Sequence, residues 1–131
     1  MKSEPVVVRE QDLEWQTWAR EEIPEKGLAC WKTLISGDAT PSEALTMGLA
    51  KIPPGEALHR HRHRQDEIYL VLEGTGTVEV GSETWPVQAG STIFIPGNEP
   101  HRCTNTGVSD LRCAYVFSAN SFDEIEYVFE E

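Results

Sequence analysis

The run GEALHRHRHRQDEIYLVLEG, from Gly55 to Gly74, sets histidines two residues apart at His61 and His63 and a carboxylate four residues further on at Glu67. Residues two apart on a β-strand project from the same face, so the two imidazoles converge on one point, and Glu67 keeps their parity. A further donor, His101, lies in GSTIFIPGNEPHRCTN. It reaches the same point only if its own segment pairs beside the first, as strands do in a small antiparallel barrel. Three imidazoles and one carboxylate suit iron, manganese, nickel, cobalt or zinc better than calcium or magnesium. The expectation is one divalent ion per chain on His61, His63, Glu67 and His101, with iron or manganese favoured. The competing reading of HRHRHR is a solvated basic strand that binds metal adventitiously. The in-phase Glu67, the glycines closing the run and the separate His101 after a proline turn favour a built site.

The rest of the chain agrees with a barrel. From Ala44 onward come ALTMGLAKI, EIYLVLE, GTVEV, TWPVQ, STIFIP and LRCAYVF, short runs rich in Val, Ile, Thr and aromatics, separated by PPGE, EGTG, VGSE, QAG and PGNEP turns. Runs at this spacing indicate an all-β barrel or sandwich. Residues 10 to 22, EQDLEWQTWAREE, carry Leu13, Trp15 and Trp18 in a weak helical pattern that would cap the barrel mouth or lie on its wall. The chain closes with SFDEIEYVF, read as a short helix or strand packed back onto the barrel. The 131 residues make one domain, divided as an N-terminal extension, 1–30, on a barrel, 31–131.

Charge narrows the partners. Lys and Arg total 11 against 22 Asp and Glu, a net charge of −11, which disfavours nucleic acid and anionic membranes. No apolar run approaches the length of a membrane span, and the N-terminus lacks the apolar core of a signal peptide, so a cytoplasmic protein is expected. Cys30, Cys103 and Cys113 are odd in number and show no CxxC spacing, so no disulfide framework is indicated. Cys103 shares the parity of His101 and is a candidate pocket residue.

Parity also sketches the surroundings of the metal. Tyr69 and Val71 share the inward face of Glu67, and Tyr69 stands about 7 Å along the strand from it. Ile68 and Leu70 point outward, into a second layer or a homodimer contact. His59 has the parity of the ligands but sits close behind Pro53 and Pro54, so it is read as a rim or supporting residue. Arg60, Arg62 and Arg64 alternate away from the ligands, as Arg102 does from His101.

The two runs resemble the signature motifs of the cupin superfamily. The first reads Gly55, five residues, His61, one, His63, three, Glu67, six, Gly74; the second reads Gly90, five, Pro96, then His101 and, three after it, Asn105. The resemblance implies a double-stranded β-helix, or jelly-roll, barrel holding one metal through three His and one Glu. The family usually has glycine two residues after the proline; here Gly97 comes one early and Asn98 takes that place. Asn tolerates left-handed backbone, so a local change of turn is expected.

Within that superfamily, WKTLISGDA, LTMGLAKIPPGE, DEIYLVLEGTG, IPGNEPH and above all VFSANSFDEIEYVF are similar to the small cupin lyases that cleave dimethylsulfoniopropionate to dimethyl sulfide and acrylate. That group implicates a Tyr two residues after the metal-binding Glu and a second in the C-terminal E-Y element, positions held here by Tyr69 and Tyr127. The resemblance implies a carboxylate-bearing small-molecule substrate, β-elimination driven by a tyrosinate, and aromatic faces such as Tyr69, Trp31 or Phe117 for the sulfonium. An iron-dependent dioxygenase and a non-enzymatic ligand-sensing or storage protein are the alternative readings.

Overall fold

The computed structural model describes residues 3–130; Met1, Lys2 and Glu131, which the domain ranges above include, lie outside the described residues. The chain forms strands β1 (Gln16–Thr17), β2 (Cys30–Ile35), β3 (Thr46–Ile52), β4 (Ala57–Arg62), β5 (Glu67–Glu73), β6 (Thr75–Val80), β7 (Glu83–Gln88), β8 (Thr92–Ile95), β9 (His101–Asn105), β10 (Leu111–Phe117) and β11 (Val128–Phe129). The runs read as β from the sequence become β3 and β5 to β8 with β10, being rich in the branched and aromatic side chains that favour strands. In β5 the alternation is complete: Glu67, Tyr69 and Val71 are buried while Ile68, Leu70 and Leu72 are exposed.

Two antiparallel sheets result, one six-stranded in the order β1-β2-β3-β10-β5-β8 and one five-stranded in the order β11-β4-β9-β6-β7. Their inner faces share one core, with Val71, Ile95, Leu111 and Cys113 from the first sheet against Val78, Val87 and Cys103 from the second. This is the jelly-roll expected from the motifs.

The N-terminal stretch holds the short helical segment expected there, mixed with irregular backbone. Residues 10–22 form two 3-10 turns, Glu10–Asp12 and Arg20–Glu22, with β1 between them, and the α-helix α1 spans only Ile23–Lys26. A lone helix of this length is marginal in water, whereas the edge of β2 offers backbone partners, pairing Gln16 with Trp31 and Thr17 with Cys30. Side chains complete the docking: Lys32 Nζ meets Glu10 Oε2 at 2.8 Å and Arg112 meets Glu10 Oε1 at 3.0 Å. Lys51 lies 4.4 Å above the Trp15 ring. At the other end SFDEIEYVF supplies a 3-10 turn, Phe122–Glu124, and then β11, which pairs Phe129 with His61 and Val128 with Arg62.

The turn that departs from the family motif is explained by its contacts. Asn98 has φ 65°, the left-handed region, and its N–H donates to the His63 carbonyl at 2.7 Å. Gly97 presses on the Arg64 carbonyl so closely that a Cβ would overlap it, and its N–H donates to Asp66 Oδ1 at 2.8 Å. The turn before His101 is thereby clamped onto the turn between His63 and Glu67.

Candidate metal centre

His61 and His101 lie directly opposite one another on the antiparallel pair β4–β9, with ring centroids 4.3 Å apart. His63 follows the end of β4, its ring 4.9 Å from that of His101. The three are buried, and their donor atoms lie within 4.8 Å of one another. Glu67 arrives differently from the parity reading. The chain turns between His63 and Glu67, so the carboxylate opens β5 in the opposite sheet and enters from the facing wall. Its Oε1 stands 3.0 Å from His63 Nε2 and 3.3 Å from His101 Nε2. Parity along one strand does not carry across a turn.

Backbone carbonyls set the imidazoles. Nδ1–H of His61 donates to the His59 carbonyl at 2.8 Å, that of His63 to Gln65 at 3.0 Å, and that of His101 to Glu99 at 2.9 Å. With Nδ1 carrying the proton, each Nε2 presents a lone pair toward the shared centre, as metal-binding histidines require. The lone pairs of His63 and His101 then face a carboxylate oxygen, an arrangement that calls for a cation between them. The spacing fits one: two donors each about 2.1 Å from a common ion and at right angles stand about 3 Å apart. His101 Nε2 is buried without a hydrogen-bond partner, which the same cation explains. Burial, followed by the closeness of the His101 imidazole, pushes His61 down to about 3 against the opposing pull of the His59 carbonyl, so this imidazole is held neutral for a metal.

The remaining sequence candidates separate cleanly. His59 is outside the cluster: the β4–β9 register shifts between Leu58 and His61, and its Nδ1 pairs with the Glu25 carbonyl at 3.0 Å. Arg62 and Arg64 are exposed, and Arg60 binds Glu79 at 2.7 Å and Glu130 at 2.9 Å. Cys103 and Cys113 are buried thiols at the cavity wall.

The cluster opens on a cavity of about 250 Å³ whose lining includes His61, Glu67, Tyr69 and Tyr127. Tyr69 lies 6.2 Å, ring to ring, from His101; Tyr127 lies 5.9 Å from His61 and 5.7 Å from His63. Burial first, and then the Glu67 charge, hold the Tyr69 phenol well above its ordinary range. Burial first, then Tyr115 and Glu67, raise Tyr127 likewise. The walls are otherwise apolar and aromatic, with Trp18, Trp31, Tyr115, Phe117, Phe122 and Phe129, and no lysine or arginine lines them among the described residues. Sequence reading missed Tyr115, although its alternation with Cys113 and Phe117 in LRCAYVF marks the inward face of β10.

Comparison with known proteins comes to the same motifs. The cupin domain family is matched over residues 48–117. The chain is 40% identical over 106 residues to the dimethylsulfoniopropionate lyase DddW of Ruegeria pomeroyi, an alignment covering 81% of this chain and 69% of that protein. It is 34% identical over 79 residues to an oxalate-binding protein of Thermotoga maritima, covering 60% of this chain and 65% of that one. A solved structure from Thermotoga maritima, described as a predicted oxalate decarboxylase, superposes with a TM-score of 0.75 at 27% identity over 87% of this chain and 99% of its own.

Proposed function

The chain belongs to the cupin domain family, and on that premise we propose that it is a metal-dependent lyase cleaving dimethylsulfoniopropionate to dimethyl sulfide and acrylate. The observation that carries this reading is the cluster of His61, His63, His101 and Glu67 opening on a cavity that Tyr69 and Tyr127 both line. Similarity to the Ruegeria lyase supplies the reaction class.

His61, His63, Glu67 and His101 would hold one divalent transition metal, iron or manganese being favoured. When bound, that cation would polarise the substrate carboxylate, acidify its Cα proton and offset the Glu67 charge, which adds to burial, the larger cause, in holding the neighbouring phenols protonated. Tyr69 or Tyr127, as tyrosinate, takes the Cα proton. The electron pair of that C–H bond forms the double bond of acrylate while the C–S pair leaves on sulfur, so a neutral thioether departs. Faces of Tyr69, Trp31 and Phe117 hold the sulfonium by cation–π attraction. The walls are free of lysine and arginine among the described residues, and Lys26, whose Nζ lies 4.6 Å over the Trp18 ring, is paired with Glu22 at 2.6 Å.

A binding role is the second reading, favoured by similarity to the oxalate-binding protein. The proposal extends to a cytoplasmic protein and to a homodimer, the latter because Ile68, Leu70, Leu72 and Phe94 are exposed on the six-stranded sheet. Incubating metal-loaded protein with dimethylsulfoniopropionate while recording headspace sulfide and oxygen uptake tests the reaction. Sulfide without oxygen uptake is expected. Oxygen uptake selects a dioxygenase, and neither signal leaves a binding protein. Tyr69→Phe and Tyr127→Phe keep the rings, and loss of the base should cost on the order of 10²-fold in turnover with metal content unchanged.

A further inference from the structure

Tyr115 and Gly48 are directly paired across the β10–β3 ladder; Tyr115 lines the cavity and Gly48 is buried. The Tyr115 ring end rests on the bare Cα of Gly48. A Cβ there would overlap the Tyr115 Cζ and hydroxyl oxygen and stand 2.7 Å from Cε2, whereas heavy atoms in contact settle at about 3.5–4.0 Å. Without that glycine the ring would tip off its strand into the cavity. Tyr115 also differs in position from the other two cavity phenols. Its ring neighbours are Phe117 and Phe122, at 5.8 Å each, rather than the imidazoles that Tyr69 and Tyr127 approach.

We propose that Tyr115, seated on Gly48, sets the size limit for the end of the substrate remote from the histidine cluster. The proposal rests on the lyase reading, in which the carboxylate sits at the histidines and the sulfonium extends toward the aromatic wall. The class of ligand admitted is then a short carboxylate whose far group is no bulkier than a dimethylated onium centre. One residue pair thus fixes volume without contributing to the chemistry.

The test compares kcat/KM of manganese-loaded protein for dimethyl- and diethylsulfoniopropionate, alongside tryptophan-fluorescence titrations with straight-chain carboxylates from propionate to hexanoate. Trp18 and Trp31 line the cavity and report occupancy. Tyr115→Leu should move both preferences toward the larger ligand by about tenfold or more, the usual scale of discrimination by added methylenes. Gly48→Ala should move them the other way. Tyr115→Phe keeps the ring, so a shift as large as that of Tyr115→Leu overturns a role in volume. Equal preferences in the parent, Tyr115→Leu and Gly48→Ala, or shifts in one direction for both, also overturn it. Should the parent fail to turn over either sulfonium compound, the lyase reading falls and the carboxylate titrations alone decide the size limit. If Gly48→Ala does not fold, the contrast between Tyr115→Leu and Tyr115→Phe still decides.

Discussion

His101 and His59 look alike in the sequence, each lying two residues from another polar or ligand position, yet only His101 ends with its Nε2 buried and unpartnered beside Glu67. His101→Ala should therefore weaken divalent-metal binding by more than about 100-fold, beyond the usual effect of a supporting residue, and His59→Ala by less than about tenfold. Elemental analysis and competitive chelator titration of untagged protein measure both; equal losses would remove His101 from the centre. His61 sets a pH dependence. Its folded value of about 3 lies below the ordinary 6.5, so the unfolded chain binds a proton that the folded one excludes between those limits. Stability is complete above about pH 6.5 and falls as the pH drops toward 3, by about 1.4 kcal/mol per pH unit from this residue. Urea midpoints of metal-free protein at pH 7, 6, 5 and 4 should follow that slope, and His61→Gln should flatten it. An unchanged slope in the variant sinks the assignment.

Elements explain where sequence reading worked and where it stopped. Period-two alternation survives along a single strand, so β5 was legible from Glu67 to Leu72, and so was the need for a strand carrying His101 beside that of His61. It carries no information through a turn. Glu67 was thus placed beside the histidines on their own strand, when it enters from β5 in the opposite sheet. The stretch from Glu10 to Glu22 was legible only coarsely: its spacing marks a short helical or irregular segment, but its seat is set by Trp15 and Glu10 against Lys32 and Lys51 and by pairing with the edge of β2. Tyr115 was visible in principle by alternation, but its seat on Gly48 belongs to another strand. The turn at Asn98 was legible, because only a few residue types sit comfortably at φ 65°. Asn98→Gly should leave the thermal midpoint unchanged or raise it, and Asn98→Ala should cost about 1 kcal/mol, the strain of a left-handed residue with a Cβ. Denaturant unfolding of the two variants checks the order; Ala equal to Gly would show that backbone strain does not govern this turn.

For the molecule as a whole, the shared core of two sheets, with Val71, Val78, Ile95 and Leu111 almost wholly buried, should be enough to fold without an ion. Chelation should lower the thermal midpoint modestly and preserve near-UV dichroism, and collapse of that signal would make the metal structural. The entry of Glu67 from the sheet facing the histidines carries a different consequence. On the proposed ligand set, three histidines come from one half of the barrel and Glu67 from the other, so all four donors meet only when the halves have closed on each other in the native alignment. Stoichiometric cobalt or nickel absorption therefore reports tertiary closure and not secondary structure. A refolding chain that regains its far-ultraviolet spectrum before its colour has formed its sheets and not yet joined them, so one cuvette resolves the two stages.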